Sequence, residues 1–217
     1  MGQALVKKFM KEGYDVVGTV VAGEHISTNP QNDRFEKKTV EFLSETEADK
    51  FIKEKTAACR KIHTAVLNVG GFCNGKDRGY IRCRYFKTNK LNFETAYHAA
   101  GPVFLQILKQ GTGRIFLLGS RPGLSAGEGK GMTGYSLVKS LIFRLADLID
   151  EETKGTDVVP AVLVPSTIDT PQNRKSTPDA DFISWVKPKA IADAVYFYCT
   201  NKAAVIREPV IKLYGNL

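Results

Sequence analysis

Two hydrophobic rhythms alternate along this chain. Residues 2–12 carry Ala4, Leu5, Phe9 and Met10 on one side and Lys7, Lys8 and Lys11 on the other, the period of an amphipathic helix, and Gly13 ends it. Val16 to Val21 is a nearly unbroken β-branched run, which predicts a strand buried on both faces. Residues 22–38 are polar and rich in turn formers, a predicted loop, and a short strand follows near Lys38 to Phe42. Ser44 then begins a helix to about Ala58, with Glu47 placed to complete a capping box.

The alternation continues to the end. Ala65 to Asn68 predicts a strand running into Gly70-Gly71, and residues near 91–110 a long amphipathic helix. Arg114 to Leu118 predicts a strand running into Gly119-Ser120, and Tyr135 to Glu152 a helix. Val158 to Val164 predicts a strand ending at Pro165, residues 188–200 a helix, and Val210 to Leu213 a last strand. Strands separated by helices imply βαβ units, hence an α/β fold with a doubly wound parallel sheet and helices on both faces. Ligands in such folds bind outside the carboxyl ends of the strands, where Gly70-Gly71, Gly119-Ser120 and Pro165-Ser166 fall. No internal repeat or low-complexity linker interrupts the pattern, so residues 1–217 read as a single domain.

Composition narrows the classes. With 43% hydrophobic and 25% charged residues, the 217-residue chain can bury a sizeable core. No apolar run approaches the roughly 20 residues of a membrane helix, and no basic segment leads into an apolar stretch at the start, so neither a membrane partner nor a leader is expected. Cys59, Cys73, Cys83 and Cys199 form no Cys-x-x-Cys pair, and no histidine spacing completes a metal site, so reduced thiols, no metal and a cytoplasmic location are expected. The net charge of +8 is spread along the chain without a nucleic-acid motif, the basic stretch from Lys76 to Lys90 included, so it reads as a generally basic surface with no nucleic-acid partner.

Tyr135 and Lys139 stand one turn apart at the start of a predicted helix, which puts both on one face. A tyrosine is a poor acid or base unaided, since its reference pKa is about 10. A nearby ammonium favours the phenolate, and such a pair can pass a proton to or from a substrate oxygen near neutral pH. Alone, Tyr-x-x-x-Lys is common by chance. Here Ser120 precedes it just past a buried strand, Asn92 lies in the helix before that, and Asn68-Val69-Gly70-Gly71 closes another strand.

In that order these residues resemble the short-chain dehydrogenase/reductase family, with its Ser, Tyr-x-x-x-Lys, helical Asn and Asn-Asn-Ala-Gly-like turn. Pro165-Ser166-Thr167-Ile168-Asp169-Thr170 resembles the family's Pro-Gly-x-x-x-Thr segment, and the likeness runs from Gly2 to near the C-terminus. The resemblance implies a Rossmann-type fold and an NAD or NADP cofactor. It implies Tyr135 as general acid or base, Lys139 tuning Tyr135 and bonding the nicotinamide ribose, Ser120 bonding the substrate oxygen, and Asn92 helping to hold a proton-relaying water chain. Ile168 and Thr170, beyond Pro165, would meet the nicotinamide carboxamide. Asn68 belongs to the cofactor-side turn, where Gly70 would let the chain pass close to the cofactor, and Glu41 and Phe42 take the place of the acidic residue near the adenine. Family members commonly form homo-oligomers through the helices around 91–110 and 135–152. The stretch from Asp169 to Ser176, followed by Pro178, Asp179, Phe182 and Trp185, together with Gly70-Gly71-Phe72 and Gly75, is more narrowly similar to dihydropteridine reductases. Those enzymes typically lack the serine that this chain has as Ser120.

Two departures stand out. Members open with a buried strand and a Gly-x-x-x-Gly-x-Gly loop that sets a pyrophosphate at a helix N-terminus; here Gly2 matches only the last glycine, so the chain reads as truncated relative to the family. Its sheet is expected to lack the usual first strand, leaving a gap near 10 Å between that strand's neighbours. After Val16–Val21, NAD enzymes place an acid against the ribose, but Val21, Ala22 and Gly23 come first, Glu24 later, and no arginine awaits a 2′-phosphate; His25 is left as a ribose-region candidate. The reading is an NAD(P)-dependent oxidoreductase acting on a small carbonyl or alcohol. The alternatives are reduction of a quinonoid pterin and a catalytically silent binding or scaffold protein.

Overall fold

The structure, a computed structural model, describes residues 1–20, 33–59, 61–71 and 82–215. In chain order the elements are α1 (Gly2–Lys11), β1 (Val16–Val20), β2 (Phe35–Thr39), α2 (Glu45–Cys59), β3 (Thr64–Leu67), α3 (Arg82–Asn89), a π-helical turn (Lys90–Glu94), α4 (Thr95–Gln110), β4 (Thr112–Leu118), α5 (Arg121–Leu124), α6 (Thr133–Glu152), β5 (Asp157–Pro165), α7 (Pro171–Ser176), α8 (Pro188–Tyr198) and β6 (Val210–Leu213). The predicted alternation of strand and helix is present, and the fold is α/β with parallel strands flanked by helices.

The strands fall into two sheets, β1-β2 and β3-β4-β5-β6, and no described strand pairs with both β1 and β3. The chain divides into two compact units, residues 1–41, 165–206 and 213–217 in one, residues 42–164 and 207–212 in the other.

In the first unit, α1 packs on α8 through Phe9, whose ring meets Tyr14 and Tyr196 edge-on at 5.3 and 5.8 Å between centroids. Lys8 on the outer side pairs with Glu12 and Asp193. β1 runs parallel to β2 with Val16 opposite Phe35. Two expectations need correction here. β1 is half-buried along its whole length rather than buried on both faces, because among the described residues one flank alone, towards β2, carries a partner strand. The strand expected near Lys38 to Phe42 is Phe35–Thr39, since Val40 and Phe42 are buried as irregular chain past the strand end. Val21, the end of the predicted first strand, and Glu24 and His25 lie outside the described residues.

In the second unit, Ser44 Oγ accepts from the Glu47 amide at 3.3 Å and starts α2 as its capping position predicts. β3 is parallel to β4 with Ala65 opposite Ile115, and β4 is parallel to β5 with Ile115 opposite Pro160. A proline in an inner strand normally removes a ladder bond. The Val162 amide donates to the Pro209 carbonyl, so Pro160, two residues earlier, turns its nitrogen to the same flank before β6 begins at Val210. Ile115, Leu117, Val158 and Leu163 have no exposed surface, and they form the core with Val103 and Ile107 of α4 and Val138 and Ile142 of α6. No helix among the described residues is long and apolar enough to cross a membrane.

This packing makes a stability prediction. Leu163→Ala should cost about 2–5 kcal/mol, whereas Val205→Ala, at 92% exposure, should stay within about 0.5 kcal/mol. Urea midpoints of the two variants check it, and equal midpoints would place the core elsewhere.

Candidate active site

α6 carries Tyr135 and Lys139 on one face, as their spacing predicts. Lys139 is only 2% exposed, and its Nζ donates to the Leu118 carbonyl at the end of β4, 2.8 Å away. Burial of this ammonium pushes its pKa down to about 8. Lys139 Nζ stands 6.0 Å from the centroid of the Tyr135 ring. Burial also pushes the Tyr135 phenol above its usual range, against a smaller downward pull from the Ser120 hydroxyl. Desolvation, and not the lowering expected from Lys139, sets the direction of the Tyr135 shift.

Ser120 follows β4 and is 8% exposed. Its extended backbone makes it the N-cap residue of α5, yet its side chain makes no capping bond. Among the described residues the buried Oγ reaches no partner at hydrogen-bond geometry, although it is near enough to Tyr135 to favour the phenolate. A buried hydroxyl without a partner costs about 1–3 kcal/mol. Here the unpaired oxygen and the phenol stand together.

Asn92 sits in the π-helical turn and is 1% exposed. Its Nδ2 donates to the carbonyls of Gly71 and Thr88 at 3.0 and 3.1 Å, and its Oδ1 accepts from the Gly71 amide at 3.1 Å. Both amide hydrogens are spent, so this side chain clamps the turn after β3. A Cβ added at Gly70 would lie 2.7 Å from Asn92 Oδ1 and 3.6 Å from Lys139 Nζ. Glycine is required there by the clamp itself. The long helix expected over 91–110 is thus interrupted by the π turn, a feature frequent at functional sites.

Ser120, Tyr135, Lys139, Asn92 and Gly70 all belong to the second unit, as do Asn68, half-buried just past β3, and Phe42. Phe42 is a core residue whose ring meets Phe51 edge-on and whose carbonyl is bonded by the His98 ring. Gly2, Glu41, Pro165, Ile168 and Thr170 belong to the first unit. Gly2 starts α1, and Glu41 is exposed. Pro165 ends β5, Ile168 bridges to Val186, and Thr170 Oγ1 accepts from the Asn173 amide to cap α7. Asp169 between them bonds Arg174 and Lys187, which fixes this segment. Phe72 and Gly75 of the Gly-Gly-aromatic turn lie outside the described residues. Sequence reasoning missed the carbonyls of Leu118 and Thr88, since backbone acceptors leave no mark in residue identity. Among the described residues no group of His, Cys, Asp or Glu could hold a metal ion.

A profile of the short chain dehydrogenase family matches residues 1–181. The chain belongs to the short chain dehydrogenase family. It is an oxidoreductase of that family. It is 25% identical to a dihydropteridine reductase of Dictyostelium discoideum, over 93% of this chain and 84% of the relative. It is 23% identical to an acetoacetyl-CoA reductase of an Acinetobacter strain, over 100% of this chain and 93% of the relative. The fold matches that of ElxO solved with NADP bound, with a TM-score of 0.85 at 16% identity, covering 98% of this chain and 92% of that one.

Burial of Lys139 makes stability pH-dependent in a definite direction. Its folded pKa, about 8, lies below the ordinary 10.5. Between those values the unfolded chain holds a proton that the folded chain has released, so stability gained from Lys139 rises with pH, by at most about 1.4 kcal/mol per unit. Below pH 8 the full cost of the buried charge is present. Urea melts of wild type and Lys139→Met from pH 7 to 10.5 should show wild type gaining on the variant across that window; a constant difference would contradict the burial of a charged amine.

Proposed function

We propose that this short-chain oxidoreductase reduces a small carbonyl compound, or oxidises the corresponding alcohol, with NADP or NAD as hydride carrier. The observation that carries the reading is the buried Ser120 Oγ beside Tyr135, which meets no partner at hydrogen-bond geometry among the described residues. That pair suits a substrate oxygen, which would accept a hydrogen bond from Ser120 and a proton from Tyr135. When bound, the nicotinamide supplies the hydride. The Tyr135 hydroxyl passes its proton to the oxygen as the carbonyl carbon gains the hydride, and takes it back in the alcohol-oxidising direction. Lys139 would bond the ribose of the cofactor, and with a pKa near 8 it can also return a proton to Tyr135. Asn92 contributes by holding Gly70-Gly71 beside Lys139.

The roles of Asn68, Gly70, Pro165, Ile168 and Thr170 towards the nicotinamide half, and of Gly2, Glu41 and Phe42 towards the pyrophosphate and adenine, are carried from the family pattern. Residues 1–217 are taken to work as one nicotinamide-binding domain in the cytoplasm. A homo-oligomer joined through α4 and α6 is part of the reading, supported by exposed Tyr97, Leu105, Leu137 and Leu148. The acetoacetyl-CoA reductase relative favours a carbonyl substrate. The dihydropteridine reductase relative favours a second reading, reduction of a quinonoid dihydropterin; a silent scaffold is disfavoured by the assembled Ser120, Tyr135 and Lys139.

Tyr135→Phe should lower turnover of ethyl acetoacetate with NADPH or NADH by at least about 10²-fold while leaving cofactor affinity nearly unchanged. Steady-state rates and nicotinamide fluorescence measure the two. Full activity in the variant would overturn the assignment, and turnover of quinonoid dihydropterin alone would move the substrate to the second reading.

A further inference from the structure

Between Ser120 and Tyr135 the chain forms a strap that none of these roles uses. It comprises α5 and a 3-10 turn (Ala126–Gly129), and α6 begins shortly after, at Thr133. The strap lies on α6 through two glycines. A Cβ at Gly123 would stand 2.6 Å from Lys139 Cβ, 2.7 Å from the Lys139 carbonyl carbon and 3.0 Å from its oxygen. A Cβ at Gly129 would overlap Ser136 Oγ and lie 3.1 Å from Ser136 Cβ. One glycine therefore touches Lys139 itself, and the other touches the residue after Tyr135. Arg121 pairs with Glu128 and ties the two ends of the strap together. A Cβ at Gly127 would meet, among the described residues, Ser125 Oγ alone, at an ordinary contact distance of 3.8 Å.

We propose that Gly123 is a positioning residue, which sets where Ser120 stands relative to Tyr135 and Lys139 by letting α5 lie directly against the backbone of α6. The inference rests on the site roles proposed above for those three residues. The atoms facing Gly123 include helix backbone, which cannot swing aside as the end of a flexible side chain can. A methyl group there drives α5 away from α6. α5 starts at Arg121, immediately after Ser120, so little chain is available to absorb the shift. On its other side Ser120 is tied to β4, where the Gly119 amide donates to the Leu163 carbonyl at 2.9 Å. Ser120 thus stands between a fixed strand and a strap whose seat is chosen by Gly123. A displacement near 1 Å in such a constellation costs about 10²-fold in rate.

The test uses the full chain with and without Gly123→Ala. Lysine labelled with 13C at the ε position reports the Lys139 titration in the ligand-free protein, its signal identified by loss in Lys139→Met. Lifting α5 admits water to the ammonium, so the Lys139 midpoint should rise from about 8 towards the ordinary lysine range. The kcat for ethyl acetoacetate should fall about 10- to 100-fold with cofactor Kd within about twofold. Ser120→Ala should then cost less than about twofold more, because the serine is already misplaced. Gly127→Ala should leave both readouts unchanged. An unmoved Lys139 midpoint, or a kcat within about twofold of wild type, overturns the inference. A wild-type chain without turnover would sink the proposed reaction alone, and the NMR titration would still decide the seating of α5. If Gly123→Ala does not fold, Glu128→Gln loosens the strap from its far end and should shift both readouts the same way by less; no shift there overturns the inference equally.

Discussion

An ammonium group is held under the carboxyl end of a parallel sheet, and the rest of the site is arranged around it. Lys139 has only 2% of its surface exposed and donates to the Leu118 carbonyl. A charge in that position is unfavourable to folding, since one neutral carbonyl replaces only part of its hydration. The neighbours are correspondingly exact in size. Gly70 has no room for a Cβ against Asn92, and Gly123 has none against the Lys139 backbone. The same burial that costs stability brings the lysine to a pKa near 8, where it can exchange protons under physiological conditions.

Around this amine, polar groups are either fully committed or left open. Asn92 spends both amide hydrogens on backbone carbonyls and so acts on the turn after β3. Ser120 occupies an N-cap position without capping, and its buried hydroxyl meets no partner at hydrogen-bond geometry among the described residues. Buried polar groups are nearly always satisfied, and in the proposed reaction the hydroxyl beside Tyr135 is the one that a substrate oxygen would meet. The contrast separates residues that shape the site from those that would meet substrate.

Much of this was legible in the sequence. The 3.6-residue rhythm of 2–12 and 135–152 and the apolar runs at 114–118 and 158–164 are set by local burial, and they appear as α1, α6, β4 and β5. Tyr135, Lys139 and Ser120 could be singled out because their residue types and order are themselves the signal. Elsewhere the signal was ambiguous or absent. The stretch near Lys38 to Phe42 reads as a strand, but Val40 and Phe42 fill the core as irregular chain after β2. α3, α5 and α7 are short, and α5 contains both proline and glycine, so no periodicity announces them. The π turn at Lys90–Glu94 and the seat of Gly123 depend on contacts with distant segments, which no local pattern encodes.

The most direct test of the central claim, a nicotinamide-dependent oxidoreductase built on Ser120, Tyr135 and Lys139, is titration of the 217-residue chain with NADPH and with NADH, followed by nicotinamide fluorescence. The account predicts saturable binding of at least one of them, with a Kd on the order of micromolar, the usual scale for substrates and cofactors of such enzymes. It also predicts that the tighter of the two identifies the cofactor. Absence of binding to both by the folded chain would contradict the account, leaving the assembled site without the hydride carrier on which every proposed role depends.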